Sequence, residues 1–184
     1  DNASVGEGYV FNPLESNRET VVAGNGQSTI NLYYNLRSYN ITYYNVEGAE
    51  NNNPDTYRPN EGVISFNDAT KLGYTFVGWY NGANADATEV KNIPVGSTGN
   101  VSLWAKWKEN ADVTIYYKAG EGGSVSCKSE SLAPATGVAL GSTATAEAGY
   151  SFVGWYSDAE MEHKISTEAN YVPSKAEGAV WVEG

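Results

Sequence analysis

Hydrophobic and polar residues alternate with a period of two along much of the chain. The clearest run lies at 101–107, where the apolar set is Val101, Leu103, Ala105 and Trp107 and the residues between them are Ser102, Trp104 and Lys106. Because neighbouring side chains of a strand point to opposite faces, this run predicts a strand with the apolar set facing inward. Tyrosine-rich, β-branched runs at 41–44 and 113–117 predict further strands.

A helical period of 3.6 residues is not sustained along the chain. Short helices are expected only at 84–90 and at 158–169, where Asp158 is a candidate cap. Asn25-Gly26 and Asn81-Gly82 lie between strand-like stretches and predict hairpins, since type I′ turns favour these residue types at positive φ. The chain is therefore predicted to be mostly β.

The chain repeats itself. The octapeptide Gly-Tyr-Thr-Phe-Val-Gly-Trp-Tyr at 73–80 returns at 149–156 with seven of its eight positions identical. Self-similarity at this spacing predicts two tandem modules of about 70 residues. A third echo, Gly-Tyr-Val-Phe at 8–11, predicts the back half of an upstream module.

These repeats predict the domain organisation. Residues 1–38 are expected to close an upstream repeat, and 39–108 and 113–184 to form two modules joined by a polar linker at 109–112. Because so short a linker restricts rotation, an elongated tandem is expected.

A known family shares these motifs. The octapeptide core at 73–80, followed by Leu-Trp-Ala-Lys-Trp at 103–107, resembles the internalin-type B-repeat, or Listeria/Bacteroides repeat, of bacterial surface proteins. Residues 113–184 are similar to its divergent version, although no Trp-Ala-x-Trp strand follows their octapeptide. Residues 1–38 resemble the end of a mucin-binding-type repeat.

The resemblance implies small β-grasp-like modules with at most a short helix each. It also implies a non-enzymatic stalk or adhesion region of a Gram-positive cell-surface adhesin, extracellular and attached to the cell wall. A host glycoprotein, a mucin or another extracellular ligand is the expected partner of a monomeric chain. The alternatives are a carbohydrate-binding accessory module of a secreted glycan-active protein and a small hydrolase.

Charge and composition restrict the classes of partner that the chain is expected to bind. Eleven basic against 22 acidic residues give a net charge of −11, which repels phosphate backbones and anionic lipids, so a nucleic-acid partner is not expected. No apolar run reaches the roughly 18 residues of a membrane-spanning helix, so no membrane insertion is expected. Cys127 is the single cysteine, which excludes an intrachain disulfide.

The repeated aromatic residues are the main candidates for binding. Trp79 and Trp155 occupy the same place in both octapeptides, and a shared fold explains this as core packing better than a sugar-stacking platform does. Tyr80 and Tyr156 are better candidates for contact, although rim packing is the favoured interpretation. A strip formed by these two tyrosines with Trp104 would favour the carbohydrate-binding alternative.

Catalytic and metal chemistry has few candidates. His163, the single histidine, lies in an acidic stretch and is interpreted as a surface residue, and Cys127 as a small core residue. The acidic residues are interpreted as solubilising. The oxygen-rich loops at 51–55 and 84–86 with Glu89 lack the spacing of an EF-hand and are interpreted as turns. No catalytic residue, cofactor or metal site is predicted, and the ligand-binding residues are left unknown.

Overall fold

A computed structural model describes residues 8–12, 24 and 31–184. Over these residues the chain forms short strands, which are β1 (Tyr9–Phe11), β2 (Tyr34–Leu36), β3 (Tyr39–Tyr44), β4 (Ala49–Glu50), β5 (Thr56–Tyr57), β6 (Thr70–Lys71), β7 (Tyr74–Tyr80), β8 (Val101–Glu109), β9 (Val113–Tyr116), β10 (Gly123–Val125), β11 (Ser129–Leu132), β12 (Ser142–Ala146), β13 (Trp155–Tyr156), β14 (Lys164–Ser166) and β15 (Asn170–Tyr171). The prediction of a mostly β chain is confirmed.

The described residues divide into two compact units. The first lies within Asp1–Ala69 and Phe76–Lys106, and the second within Thr70–Thr75 and Trp107–Gly184. Strand β8 continues to Glu109, so the part of the predicted linker outside the strands is 110–112.

The largest sheet has six strands in the order β4-β6-β7-β8-β3-β5. β8 occupies an interior position, pairing with β3 in parallel so that Ile41 lies opposite Val101 and Tyr44 opposite Trp104. At its edge β3 pairs with β5 antiparallel. The predicted alternation in β8 is confirmed at its centre, because Leu103 and Ala105 are 0% and 1% exposed while Ser102 is exposed.

The core of the first unit collects the inward side chains of this sheet and of the loops beneath it. Its buried apolar residues are Ile41, Tyr57, Ala69, Trp79, Ile93, Leu103 and Ala105. Burial of these side chains from strands distant in sequence supplies the hydrophobic free energy that holds the unit together.

The second unit consists of smaller sheets. β9 pairs with β11, β13 with β14, and β10, β12 and β15 form a three-stranded sheet in the order β10-β12-β15. Its buried apolar residues are Tyr117, Leu132, Ala139 and Trp155.

The helices predicted at 84–90 and 158–169 do not form, and the described residues contain no helix. Residues 84–90 are turns and an isolated bridge, and β14 lies inside 158–169. Asp158 does cap backbone N–H groups, but those of Glu162 and His163 in a turn. Without a helix to lie across the sheet, the β-grasp comparison is not confirmed. The described segments also offer no helix with the length and hydrophobicity that a bilayer crossing requires.

The hairpin predicted at Asn81-Gly82 takes another form. Neither residue has a positive φ, so no type I′ turn exists there. The chain returns through a longer loop, closed by an antiparallel bridge between Tyr80 and Glu89 and by hydrogen bonds between Asn81 and Thr88. The hairpin predicted at Asn25-Gly26 lies outside the described residues.

Candidate binding surface

The two repeated tryptophans lie in the cores, as predicted. Trp79 is 3% exposed and Trp155 is 8% exposed. Each indole N–H donates a 3.0 Å hydrogen bond to a backbone carbonyl, that of Asn67 for Trp79 and that of Ala169 for Trp155. Neither ring is available to stack on a ligand, so the octapeptide is a structural motif.

The glycine before each tryptophan is required by the backbone. Gly78 and Gly154 have φ values of 153° and 151°, which residues other than glycine rarely adopt. A Cβ on Gly154 would lie 2.7 Å from the carbonyl oxygen of Ser166, and one on Gly78 would lie 3.2 Å from Oε1 of Glu89. The repeated Gly-Trp pair therefore encodes one local geometry in both units.

The tyrosine after each tryptophan is half-buried and faces a lysine. Nζ of Lys106 lies 4.0 Å from the Tyr80 ring centroid, and Nζ of Lys164 lies 5.4 Å from that of Tyr156. The two ammonium groups also donate to the carbonyl oxygens of Asn84 and Val153. The rim-packing interpretation of these tyrosines agrees with this arrangement.

The outer face of the first unit carries a second aromatic pair. Tyr44 and Trp104, cross-strand neighbours on β3 and β8, stack with ring centroids 4.6 Å apart and ring planes 16° apart. Tyr44 is 42% exposed and Trp104 is half-buried. Lys106 lies two residues beyond Trp104 on the same face of the strand, and its ammonium group contacts the Tyr80 ring. These four residues are called the outer-face cluster below.

The outer-face cluster is an amphipathic surface and not a flat platform. One face of the Trp104 ring packs on Tyr44, and one face of the Tyr80 ring is covered by Lys106. Tyr44 is the exposed member of the cluster, and Trp104, Tyr80 and Lys106 are half-buried. The cluster thus combines apolar rings with a positive charge on one strand face. The sequence indicates Trp104 as a candidate contact residue but not Tyr44, because the pairing of β3 with β8 is not visible in the sequence.

Several carboxylates anchor the second unit, so the interpretation of the acids as solubilising is incomplete. Glu130 accepts hydrogen bonds from the Tyr117 hydroxyl and from the N–H groups of Leu140 and Gly141. Glu109 accepts from the N–H groups of Ala135 and Thr136.

The pKa values of these anchoring groups follow from their hydrogen bonds. The Thr136 N–H, ahead of other donors, lowers the pKa of Glu109, and the Glu162 N–H leads the donors that lower the pKa of Asp158. Burial, followed by the hydrogen bond and the charge of Glu130, raises the pKa of the Tyr117 hydroxyl. The lowered pKa values keep the carboxyl groups of Glu109 and Asp158 ionised, and the raised pKa keeps the Tyr117 hydroxyl neutral, as their hydrogen bonds require.

The remaining candidate groups are not brought together into a catalytic arrangement. His163 is exposed at the surface, as predicted, with Nδ1 3.2 Å from a carboxylate oxygen of Asp158. Cys127 is half-buried and is not part of the core, so its interpretation as a core residue is wrong; its thiol donates to the Ser129 carbonyl. No cluster of three or more His, Cys, Asp or Glu side chains suited to a metal ion occurs among residues 8–12, 24 and 31–184.

The oxygen-rich loop at 51–55 is closed by its own amides. Oδ1 of Asn51 accepts from the backbone and side-chain N–H groups of Asn53, and Oδ1 of Asn53 accepts from the Asn67 N–H. In the other loop, Glu89 pairs with Lys91 at 3.4 Å. The oxygens of Asn51 and Asn53 thus serve the turn, in agreement with the interpretation of this loop as turn chemistry.

Comparison with protein families identifies both repeats. Residues 39–106 match the Listeria-Bacteroides repeat domain, and residues 113–180 match the divergent InlB B-repeat domain. Comparison with the curated proteins and with the solved structures gave no match. Repeats of these families are typical of bacterial surface or extracellular proteins and are generally non-catalytic. Residues 39–106 and 113–180 are therefore tandem B-repeats of the internalin type.

Proposed function

We propose that the chain is a non-enzymatic stalk and adhesion segment of a bacterial cell-surface protein, attached to the cell wall and contributing to the binding of a host or matrix glycoprotein. The observation that carries the proposal is the repetition itself. The two units share a buried tryptophan, an obligatory glycine and a lysine-faced tyrosine. Repeated structural elements of this kind form a scaffold. A tandem of such units acts as a spacer between the cell surface and a ligand, and it exposes surfaces that can bind.

The outer-face cluster is the surface proposed to bind. Its aromatic edges and ammonium group lie in the first unit, on a chain with a net charge of −11. We expect the chain to be a monomer that binds one ligand through this cluster. The second candidate function, a carbohydrate-binding accessory module, is favoured by the same Tyr44–Trp104 pair, since exposed aromatic residues are common in sugar sites.

A glycan array combined with mucin capture tests the proposal. The wild-type chain is expected to retain mucin, and Tyr44→Ala is expected to weaken retention at least about fivefold, since an aromatic contact is worth about 1 kcal/mol. Ile64→Ala, which removes an apolar side chain that is 91% exposed on the same unit, is the matched control. Binding to one defined sugar would favour the accessory module. Retention that Tyr44→Ala leaves unchanged would contradict the outer-face cluster.

A further inference from the structure

A hairpin turn of the first repeat lies in the second unit. The first repeat spans residues 39–106. The segment Thr70–Thr75, which holds β6, a two-residue turn and the start of β7, nevertheless groups with Trp107–Gly184 in the second unit. This segment is called the shared turn below. The boundary of the sequence repeat and the boundary of the folded unit therefore differ at this hairpin.

Hydrogen bonds hold the shared turn to the residue that follows β8. The Asn110 N–H donates to the Gly73 carbonyl at 2.9 Å, and the Thr75 hydroxyl donates to Oδ1 of Asn110 at 2.7 Å. Both distances are normal for hydrogen bonds. Lys71 adds a cation–π contact, with Nζ 5.9 Å from the centroid of the Trp107 ring. Asn110 thus holds the shared turn through both its backbone and its side chain.

Inside the second unit, Gly73 lies directly against residues of the second repeat. A Cβ on Gly73 would lie 2.9 Å from Cγ1 of Val180 and 3.0 Å from Cβ of Ala135. Because carbon atoms in van der Waals contact lie about 3.5 to 4.0 Å apart, this position has no room for a side chain. Both neighbours belong to the second repeat, 113–180. The shared turn is therefore as closely packed on the second repeat as residues in a protein interior are on one another.

The equivalent glycine of the second repeat shows that this packing is not part of the repeated motif. Gly149 begins the second octapeptide as Gly73 begins the first, and both have a positive φ, 90° and 77° respectively. A Cβ on Gly149 would meet no atom within 4 Å. The two glycines thus share a backbone conformation, but of the two only Gly73 is closely packed. The contacts of Gly73 are a property of the second unit and not of the octapeptide.

We infer that the shared turn couples the folding of the two repeats, so that the second repeat reaches its full stability only when the β6–β7 hairpin of the first repeat is formed. Loss of that hairpin would remove two hydrogen bonds from Asn110 and leave a gap beside Ala135 and Val180. Groups in direct contact do not contribute independently to stability. The repeats therefore unfold as coupled neighbours, whether or not the chain binds a ligand.

Alanine at the two equivalent glycines tests this coupling in the full chain. Gly73→Ala introduces a strained φ together with the steric conflict at Val180 and Ala135, whereas Gly149→Ala introduces the strained φ alone. Amide hydrogen exchange, measured separately on peptides of 39–106 and of 113–180, reports the stability of each repeat. Gly149→Ala lies in the second repeat and is the matched control for the response of that repeat.

Gly73→Ala is expected to speed exchange at the protected amides of 113–180 by about tenfold or more, although the substitution lies in the first repeat. Gly149→Ala should have a smaller effect on the same amides. Val180→Ala removes the methyl groups nearest the added Cβ, so in that background the effect of Gly73→Ala should be at least about threefold smaller. Faster exchange confined to 39–106, or an effect that Val180→Ala leaves unchanged, would overturn the inference.

Thr75→Val provides a second test that keeps the glycine and its turn. This substitution removes the hydroxyl that donates to Asn110 but retains a β-branched residue in β7. Because a hydrogen bond contributes about 1 kcal/mol, exchange in 113–180 should become about threefold faster or more. Exchange in 113–180 that Thr75→Val leaves unchanged would contradict the coupling even if Gly73→Ala does not fold.

Discussion

Replacing Glu130 by alanine tests whether a carboxylate anchors the second unit. Its oxygens accept from the Leu140 N–H at 2.8 Å, from the Gly141 N–H at 3.2 Å and from the Tyr117 hydroxyl. A hydrogen bond of this kind contributes about 1 kcal/mol net, and its loss leaves the donor without its partner. We therefore expect Glu130→Ala to lower the free energy of unfolding of the second unit by about 3 kcal/mol, and Tyr117→Phe by about 1 kcal/mol.

The pKa of Glu130 determines how this effect depends on pH. Burial acts to raise that pKa, but the hydrogen bonds from Leu140, Tyr117 and Gly141 outweigh it and leave the pKa below the ordinary value of 4.5. A carboxyl group whose pKa is lower in the folded state stabilises the fold above its ordinary pKa, and this contribution is lost as pH falls through the lowered pKa. The stability difference between wild type and Glu130→Ala should be constant above about pH 5.5 and narrow below about pH 4.

Urea titration followed by amide exchange and mass spectrometry assigns the loss of stability to peptides of the second unit. Glu168→Ala, which removes an exposed carboxylate of the same unit, is the matched control and should change stability by less than about 0.5 kcal/mol. A loss below about 1 kcal/mol for Glu130→Ala, or a difference that persists unchanged to pH 3, would refute the reasoning.

Three further predictions concern the repeated motif. Trp79→Ala and Trp155→Ala should each destabilise their unit by roughly 3 to 5 kcal/mol in denaturant titrations, the usual effect of removing a buried ring, and a loss under about 1 kcal/mol would contradict the core assignment. Gly154→Ala should lower the free energy of unfolding by about 1 to 3 kcal/mol, because alanine rarely adopts this φ and its Cβ would lie too close to the Ser166 carbonyl oxygen. An unchanged melting temperature would exclude strain at this position. Lys106→Met should cost about 0.5 to 1 kcal/mol by removing the ammonium from the Tyr80 ring, and a stabilising effect would show that the contact is unfavourable.

Local sequence patterns predicted the shared role of the repeated tryptophans and the inward face of β8. The repeated octapeptide indicated that Trp79 and Trp155 share one structural role, and the alternation at 101–107 indicated that Leu103 and Ala105 face inward. Both inferences depend only on the period of a strand and on the similarity of the two copies.

Features that depend on distant partners were missed. The candidate cap at Asp158, with Ala, Met and Ile behind it, predicts a helix at 158–169, but β14 pairs with β13 and part of that segment is a strand. Asn81-Gly82 has the residue types of a two-residue turn, but the pairing of Tyr80 with Glu89 sets a longer loop. The stacking of Tyr44 on Trp104 and the bonds of Glu130 join residues whose proximity arises only in the folded chain.

Hydrogen exchange at the indole N–H groups tests most directly the central claim that the repeated tryptophans build scaffold cores and form no binding platform. Because Trp79 and Trp155 are buried and their N–H groups donate to the carbonyls of Asn67 and Ala169, both N–H groups should exchange at least about a hundredfold more slowly than that of free tryptophan. Their NMR signals should also keep their shifts when mucin is added. Exchange near the rate of free tryptophan, or a shift of either signal on adding mucin, would contradict the account.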